Sequence, residues 1–316
     1  MHELTILSRD AEIYRHCLRQ SPIEGFHLVQ SSSEPNEIDP SRVKILLGEP
    51  DLAASIVDQC QHLQWLQSTW AGNTPLLNRT NCNYVLTGVK GIFSSAIKEY
   101  VSAYLLHFSR AINEFHPRHM PCENLVTPTW QQPAISSLMG KTLGVLGTGS
   151  LGKSLIDVAR CFGMRLVGLN RSGHAIEGFD QIYTSTDKLS FADSLDYVVN
   201  LMPETPQTRH IIDAEFLSAL PSSAVLINAG RGSAIDNEAL IHALDTKQIK
   251  AAVLDVFEQE PLPEQHEFWQ HPGIWVTHHT AAISDPEAVF RVFKRNIERW
   301  VNAEPLEFII DFTKGY

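Results

Sequence analysis

Apolar positions fall into short runs along the first hundred residues, at 3–8, 44–48, 63–69 and 84–89, separated by polar or helix-forming stretches. Runs of this length bounded by turn residues predict strands, and their alternation with helical segments predicts a small parallel α/β domain. From Ser94 the period changes. Ile97, Val101, Tyr104, Leu105 and Phe108 stand at the spacing of one face of an amphipathic helix. Residues 113–140, rich in Pro, His and polar side chains, then read as an arm or linker. A second series of runs follows at 142–147, 165–169, 196–201, 224–229, 251–257 and 274–279. Most are continuous apolar runs, as expected of strands buried on both faces. Leu151, Leu155, Val158 and Phe162 form a helical stripe between the first two, and Asp236 is an N-cap candidate for a helix over 237–246. A last helix is expected over 286–303. The second series predicts a doubly wound sheet of about six strands.

Length agrees with this division, since 316 residues correspond to two domains at about 150 residues each. With 43% hydrophobic and 19% charged residues the composition is that of an ordinary globular protein, which excludes disorder, collagen and coiled coil. The formal charge of −11 opposes attraction to nucleic-acid phosphates and anionic lipid. Five scattered cysteines, with no C-x-x-C and no Cys/His spacing suited to zinc, predict reduced thiols and no metal site. MHELTILSRD lacks the pattern of an export signal, and no apolar stretch reaches about 18 residues, so a cytoplasmic protein without a membrane span is expected.

The chemistry starts at Gly147-Thr148-Gly149-Ser150-Leu151-Gly152, a G-x-G-x-x-G placed after an apolar strand and at the head of an amphipathic helix. In that context the first glycine permits a tight turn, the second lets a pyrophosphate approach the backbone, and the third lets helix and strand pack closely. An NAD site usually places a carboxylate at the end of the second strand to bind the ribose 2′-OH. That segment reads Leu169-Asn170-Arg171-Ser172, with no acidic residue before Glu177. Arg171 suits a 2′-phosphate, with Asn170 and Ser172 as further donors, so NADP(H) is favoured over NAD(H). The alternative is a solvated loop arginine.

Three later strand ends carry an arginine, a carboxylate and a histidine: Asn228-Ala229-Gly230-Arg231-Gly232, the stretch from Leu254 and Asp255 to Glu260-Pro261, and Val276-Thr277-His278-His279-Thr280-Ala281. An arginine can pair with a substrate carboxylate and polarise the neighbouring carbonyl, a histidine can deliver a proton, and a carboxylate can hold the imidazole.

The segments GTGSLG, NLMPETPQTRHII, LINAGRGSAID, LDVFEQEPLP and VTHHTAAIS, spread from Gly140 to Ser284, together resemble the D-2-hydroxyacid dehydrogenases. FWQHPGIWVTHHTAAISDPEAV and the terminal Gly315-Tyr316 are most similar to the branch that reduces glyoxylate and hydroxypyruvate. The resemblance implies an α/β protein of two doubly wound parallel-sheet domains with a cleft between them. A flavodoxin-like substrate domain would take residues 1–98 completed by 285–316, and a Rossmann NADP-binding domain residues 99–284. The implied activity is NADPH-dependent reduction of small 2-keto acids such as glyoxylate and hydroxypyruvate to the D-2-hydroxyacids. Arg231, Glu260 and His279 take the positions of the catalytic residues. Asp255 takes that of the residue holding the nicotinamide carboxamide, and Met202, Pro203, Ala229, Gly230, Arg231, His279 and Ala281 join the glycine loop in lining the cofactor site. Trp70-Ala71-Gly72-Asn73 resembles the loop whose N–H groups bind the substrate carboxylate, with Trp70 and Asn73 departing from the usual occupants; Arg231 and His279 are the other substrate contacts. His278 stands where the family has proline, and the register Thr277-x-His279-x-Ala281 selects His279. The 113–140 segment resembles a homodimerisation arm, with Trp130 either reaching the partner's site or packing locally. A nucleotide-sensing binding protein of the same fold and a reductase for a bulkier keto acid are the alternatives. A short-chain reductase would need Tyr-x-x-x-Lys and an N-terminal dinucleotide loop, and this chain has neither.

Overall fold

The computed structural model describes residues 2–115 and 132–313. Trp130 and Cys122, with Gly315-Tyr316, lie outside the described residues. The chain divides into two compact units, 1–92 with 284–316 and 93–283. The second unit therefore holds the whole helix that begins at Ser94, which the expected limit at residue 98 would have cut.

In the first unit the chain runs β1 (His2–Leu7), α1 (Ala11–Gln20), β2 (Phe26–Ser32), β3 (Ile45–Gly48), α2 (Pro50–Ala54), β4 (Trp65–Ser68), α3 (Thr74–Leu77) and β5 (Val85–Thr87). The strands are all parallel in the order β2-β1-β3-β4-β5, the flavodoxin-like arrangement. β3 and β4 are buried along their whole length, which is why the sequence shows them as continuous apolar runs. The pattern did not show β2. FHLVQSS lies at the sheet edge, half-exposed along nearly all of its length, so neither an apolar run nor an alternation was needed to form it.

The second unit starts with α4 (Ser94–Ser109) and α5 (Ile112–Phe115). Ile97, Val101, Leu105 and Phe108 are the buried stripe of α4, as its period requires. There follow β6 (Thr142–Leu146), α6 (Ser150–Phe162), β7 (Arg165–Leu169), β8 (Gln181–Tyr183), α7 (Lys188–Ala192), β9 (Tyr197–Asn200), α8 (Ala214–Ala219), β10 (Val225–Asn228), α9 (Asn237–Asp245), β11 (Ala251–Leu254) and β12 (Ile274–Val276). The seven strands are parallel in the order β12-β11-β10-β9-β6-β7-β8. The order reverses between β6 and β9, the switch point at which doubly wound sheets bind ligands. One strand more is present than expected: β8 is three residues of a half-exposed edge, too short for a periodic signal. Buried side chains cover both faces of this sheet, with Leu226, Phe216 and Leu240 in one cluster and Val145, Leu155 and Val253 in the other. α6 stops at Gly163, whose φ of 63° closes the left-handed cap, and Asp236 caps α9 by accepting the Ala239 N–H.

The chain then returns to the first unit as α10 (Pro286–Val301), capped by Asp285. Phe293 and Trp300 of this helix pack on Trp65. Asn296, fully buried, donates to Gln67 Oε1 at 3.0 Å and accepts the Glu307 N–H at 2.7 Å. Burying an amide is costly unless its hydrogen bonds are made, so this pairing selects one seat for α10.

Candidate active site

The switch point of the larger sheet carries the glycine loop. Gly147 leaves β6 with φ at 95°, and a Cβ there would come within 3.0 Å of the Leu201 and Met202 backbone. At Gly152 a Cβ would lie 2.2 Å from the Gly147 carbonyl oxygen, so only glycine lets α6 start this close to β6. Gly149 differs. Its Cβ would meet nothing within 4 Å, so the space over that backbone is open for a ligand. The first return bond in α6 runs from Lys153 N–H to Gly149 O, and the N–H groups of Ser150, Leu151 and Gly152 are the free donors of a helix start. These features fit a pyrophosphate.

Beside the loop lies a groove of about 530 Å³ lined by Thr148, Gly149, Ser150, Lys153, Asn170, Arg171, Ser172 and Ile176. Asn170 serves the loop itself. Its Oδ1 accepts the N–H groups of Ser172 and Gly173 and the Ser172 hydroxyl, while its Nδ2 donates to Thr148 Oγ1 at 2.9 Å. The expectation of Asn170 and Ser172 as free donors therefore changes: both are engaged in an Asx turn tied to the glycine loop. Arg171 and Lys153 are exposed, and neither has an ion-pair partner among the described residues. Lys153 was missed in the sequence, although its place directly after the third glycine is a readable signal.

Arg231, Glu260 and His279 come from the loops after β10, β11 and β12, the carboxyl ends of adjacent strands. Asn228 sets the first of these loops. It is fully buried, accepts from Asn200 Nδ2 and the Gly230 N–H, and donates to the Arg231 carbonyl. Gly232 is required next, because a Cβ would lie 2.0 Å from the Phe257 carbonyl carbon of the loop that carries Glu260. The Arg231 guanidinium donates to the Gly230 carbonyl at 2.7 Å and forms no ion pair among the described residues. Burial pulls its pKa down, opposed by the charges of Glu204 and Glu260, and an arginine stays protonated regardless. Glu204 is a second residue that sequence reasoning missed.

Glu260 Oε2 stands 2.7 Å from His279 Nδ1, and its Oε1 accepts the Phe257 N–H at 2.9 Å. Burial pushes the Glu260 pKa up. The hydrogen bonds from His279 and Phe257, with the charges of His279 and Arg231, outweigh burial and leave the carboxyl below its ordinary value. His279 Nε2 has no partner among the described residues. The backbone of His279 is left-handed, φ 56°, and its N–H donates to the Asp255 carbonyl at 2.8 Å. The Asp255 carboxylate, 1% exposed, accepts the Thr277 hydroxyl and the N–H groups of Thr280 and Ala281, and Tyr100 in turn bonds Thr277. The Asp255 carboxylate thus holds the loop that presents His279, with two donors on Oδ1 and one on Oδ2, which keeps one further acceptor position. His278 turns elsewhere, its ring edge-on to Trp269 at 5.6 Å.

Trp70, Ala71 and Gly72 belong to the first unit, in the loop after β4. Ser68 Oγ accepts the Trp70 N–H at 3.1 Å, while the N–H groups of Ala71 and Gly72 have no acceptor among the described residues. A separate depression of that unit, lined by Leu4, Leu18, Phe26 and Leu28 with Arg15 and Arg19, includes none of the candidate residues. No group of three or more His, Cys, Asp or Glu able to hold a metal occurs among the described residues, and no described helix is long and apolar enough to cross a membrane.

A switch-point glycine loop, with an arginine and a carboxylate–histidine pair on neighbouring strand ends of the same sheet, defines a dinucleotide-binding dehydrogenase. Residues 102–281 match the family model described as D-isomer specific 2-hydroxyacid dehydrogenase, NAD binding domain. The chain belongs to the D-isomer-specific 2-hydroxyacid dehydrogenase family. It is 32% identical over 220 residues, 70% of this chain and 68% of the other, to glyoxylate/hydroxypyruvate reductase A of Serratia proteamaculans. Among solved structures, a family member from Aeromonas salmonicida superposes with a TM-score of 0.93 at 34% identity, over 98% of this chain and 99% of that one. An NADPH-dependent glyoxylate/hydroxypyruvate reductase of Sinorhizobium meliloti, solved with NADP and sulfate, gives 0.83 at 25% identity over the whole of both chains.

Proposed function

We propose that this dehydrogenase reduces small 2-keto acids, glyoxylate and hydroxypyruvate, to the D-2-hydroxyacids with NADPH. The observation that carries the reading is the 2.7 Å pair of Glu260 and His279, with Arg231 on the neighbouring strand end. The names of the Serratia and Sinorhizobium relatives support the substrate class. The glycine loop from Gly147 to Gly152 holds the pyrophosphate. Asn170, Arg171 and Ser172 bound the ribose subsite, and the absence of a carboxylate from residues 169–173 favours a 2′-phosphate. Met202, Pro203, Ala229, Gly230 and Ala281 are assigned to the rest of the cofactor site.

The nicotinamide, when bound, supplies a hydride to the substrate's carbonyl carbon. Arg231 pairs with the substrate carboxylate and polarises the adjacent carbonyl through its planar fork. His279 gives the carbonyl oxygen a proton from Nε2, the nitrogen left free when Nδ1 faces Glu260. Glu260 fixes that orientation and offsets the charge of the imidazolium. Asp255 holds the loop in the left-handed conformation that aims the ring. In the first unit, assigned as the substrate domain, Ala71 and Gly72 present N–H groups of the kind a carboxylate accepts from. A cytoplasmic homodimer is part of the same proposal.

The test is loss of NADPH absorbance with glyoxylate, hydroxypyruvate and bulkier 2-keto acids, repeated with NADH. Turnover of the small acids with NADPH is expected. Preference for NADH, or turnover of bulky acids only, refutes the corresponding part.

A further inference from the structure

The groove beside the glycine loop contains two unpaired cations where one was expected. Lys153 and Arg171 both line it, no carboxylate does, and neither is engaged in an ion pair among the described residues. Lys153 stands in the first full turn of α6, its N–H fixed to the Gly149 carbonyl at 2.9 Å. The natural partner for a lysine on a helix is an acid four residues on, and Asp157 occupies that position. Asp157 is instead bound to Lys98 of α4 at 3.4 Å. Lys153 is thus left exposed and without a counter-charge at a groove in a protein of net charge −11.

We propose that Lys153 is the second cation of the 2′-phosphate subsite, acting with Arg171 to select the phosphorylated dinucleotide; this rests on the NADPH reading above. A phosphate monoester carries between one and two negative charges at neutral pH, so a single guanidinium leaves much of that charge uncompensated. The two residue types complement each other, since Arg171 offers a planar fork from the β7 loop and Lys153 a mobile point charge from the helix side. The pyrophosphate does not need Lys153, because the free N–H groups of residues 150–152 serve it. The Asx turn at Asn170 ties the backbone of the Arg171 loop to Thr148, just ahead of the helix that carries Lys153.

The test is calorimetric titration of the full-length protein with adenosine 2′,5′-bisphosphate and with 5′-AMP. Lys153→Met is expected to weaken the bisphosphate on the order of tenfold, to leave 5′-AMP within about twofold, and to be rescued largely by Lys153→Arg. Lys153→Gln serves as a second neutral variant should the methionine perturb the helix. Unchanged bisphosphate affinity in the neutral variants, or equal weakening of both ligands, overturns the proposal. A wild-type protein that binds both ligands equally would instead overturn the NADPH reading, an outcome read before any Lys153 variant is made.

Discussion

Glu260→Gln keeps the shape of the side chain beside His279 and removes its charge. In the wild type the carboxyl titrates below its ordinary value of 4.5, so it is ionised throughout the neutral and alkaline range and favours the protonated form of its partner. Two charge centres about 4 Å apart interact by roughly 1 kcal/mol in a water-like medium and roughly 4 kcal/mol at an effective dielectric constant of 20. The His279 and Glu260 side chains are 54% and 36% exposed, which places the pair near the lower figure. At 1.36 kcal/mol per pH unit, roughly 1 kcal/mol is expected to move the alkaline limb of kcat/KM for glyoxylate reduction acidward by about 0.7 unit. The assay is NADPH oxidation at saturating cofactor from pH 5 to 10, with circular dichroism to confirm the fold. The sign at the acid end is also fixed. A depressed carboxyl contributes its interaction fully above its ordinary pKa and loses it as pH falls through the lower folded value, so on the acid side the carboxylate's contribution is lost only below about pH 4.5. An alkaline limb that stays in place, or moves to higher pH, refutes the charge argument and leaves Glu260 as an orienting group.

Gly149→Ala should leave the melting temperature within about 1 °C and weaken NADPH on the order of tenfold, because its methyl enters the open ligand space. Gly152→Ala should lower the melting temperature by roughly 4–8 °C, since its methyl meets the Gly147 carbonyl; equal melting shifts in the two variants would contradict this assignment. Arg231→Lys keeps the charge and loses the fork, so kcat/KM should fall about 30- to 100-fold with NADPH affinity unchanged; near-normal turnover would remove Arg231 from the site. His279→Gln should abolish turnover while His278→Gln, whose ring faces Trp269, should retain most of it, and the reverse result would show the register to be wrong by one residue.

Legibility in the sequence followed burial. Strands such as β9 and β10, covered on both faces, could form only from apolar runs, and those runs were visible. β2 and β8 lie on edges where sheet hydrogen bonding suffices without an apolar pattern, so nothing marked them. The glycine loop was readable because each glycine answers a separate steric demand. The part Asp255 plays in holding the His279 loop was not, because nothing in the letters gathers a hydroxyl and two backbone N–H groups around one carboxylate. Lys153 was overlooked for a related reason: its freedom depends on Lys98, 55 positions earlier, taking Asp157.

The seat of α10 has a consequence for the birth of the protein. Trp65 and Gln67 emerge from the ribosome more than two hundred residues before Phe293 and Trp300, which cover the indole, and Asn296, which adds one hydrogen bond to the amide. At roughly 5–20 residues per second that interval lasts on the order of ten seconds or more, during which the indole waits uncovered and the Gln67 amide lacks the bond from Asn296, although Thr87 and Gly88 already serve both groups. Residues 93–283 form one uninterrupted stretch and face no such delay. The larger unit can therefore reach its native form during translation, whereas the smaller one, although its strands are made first, is completed last.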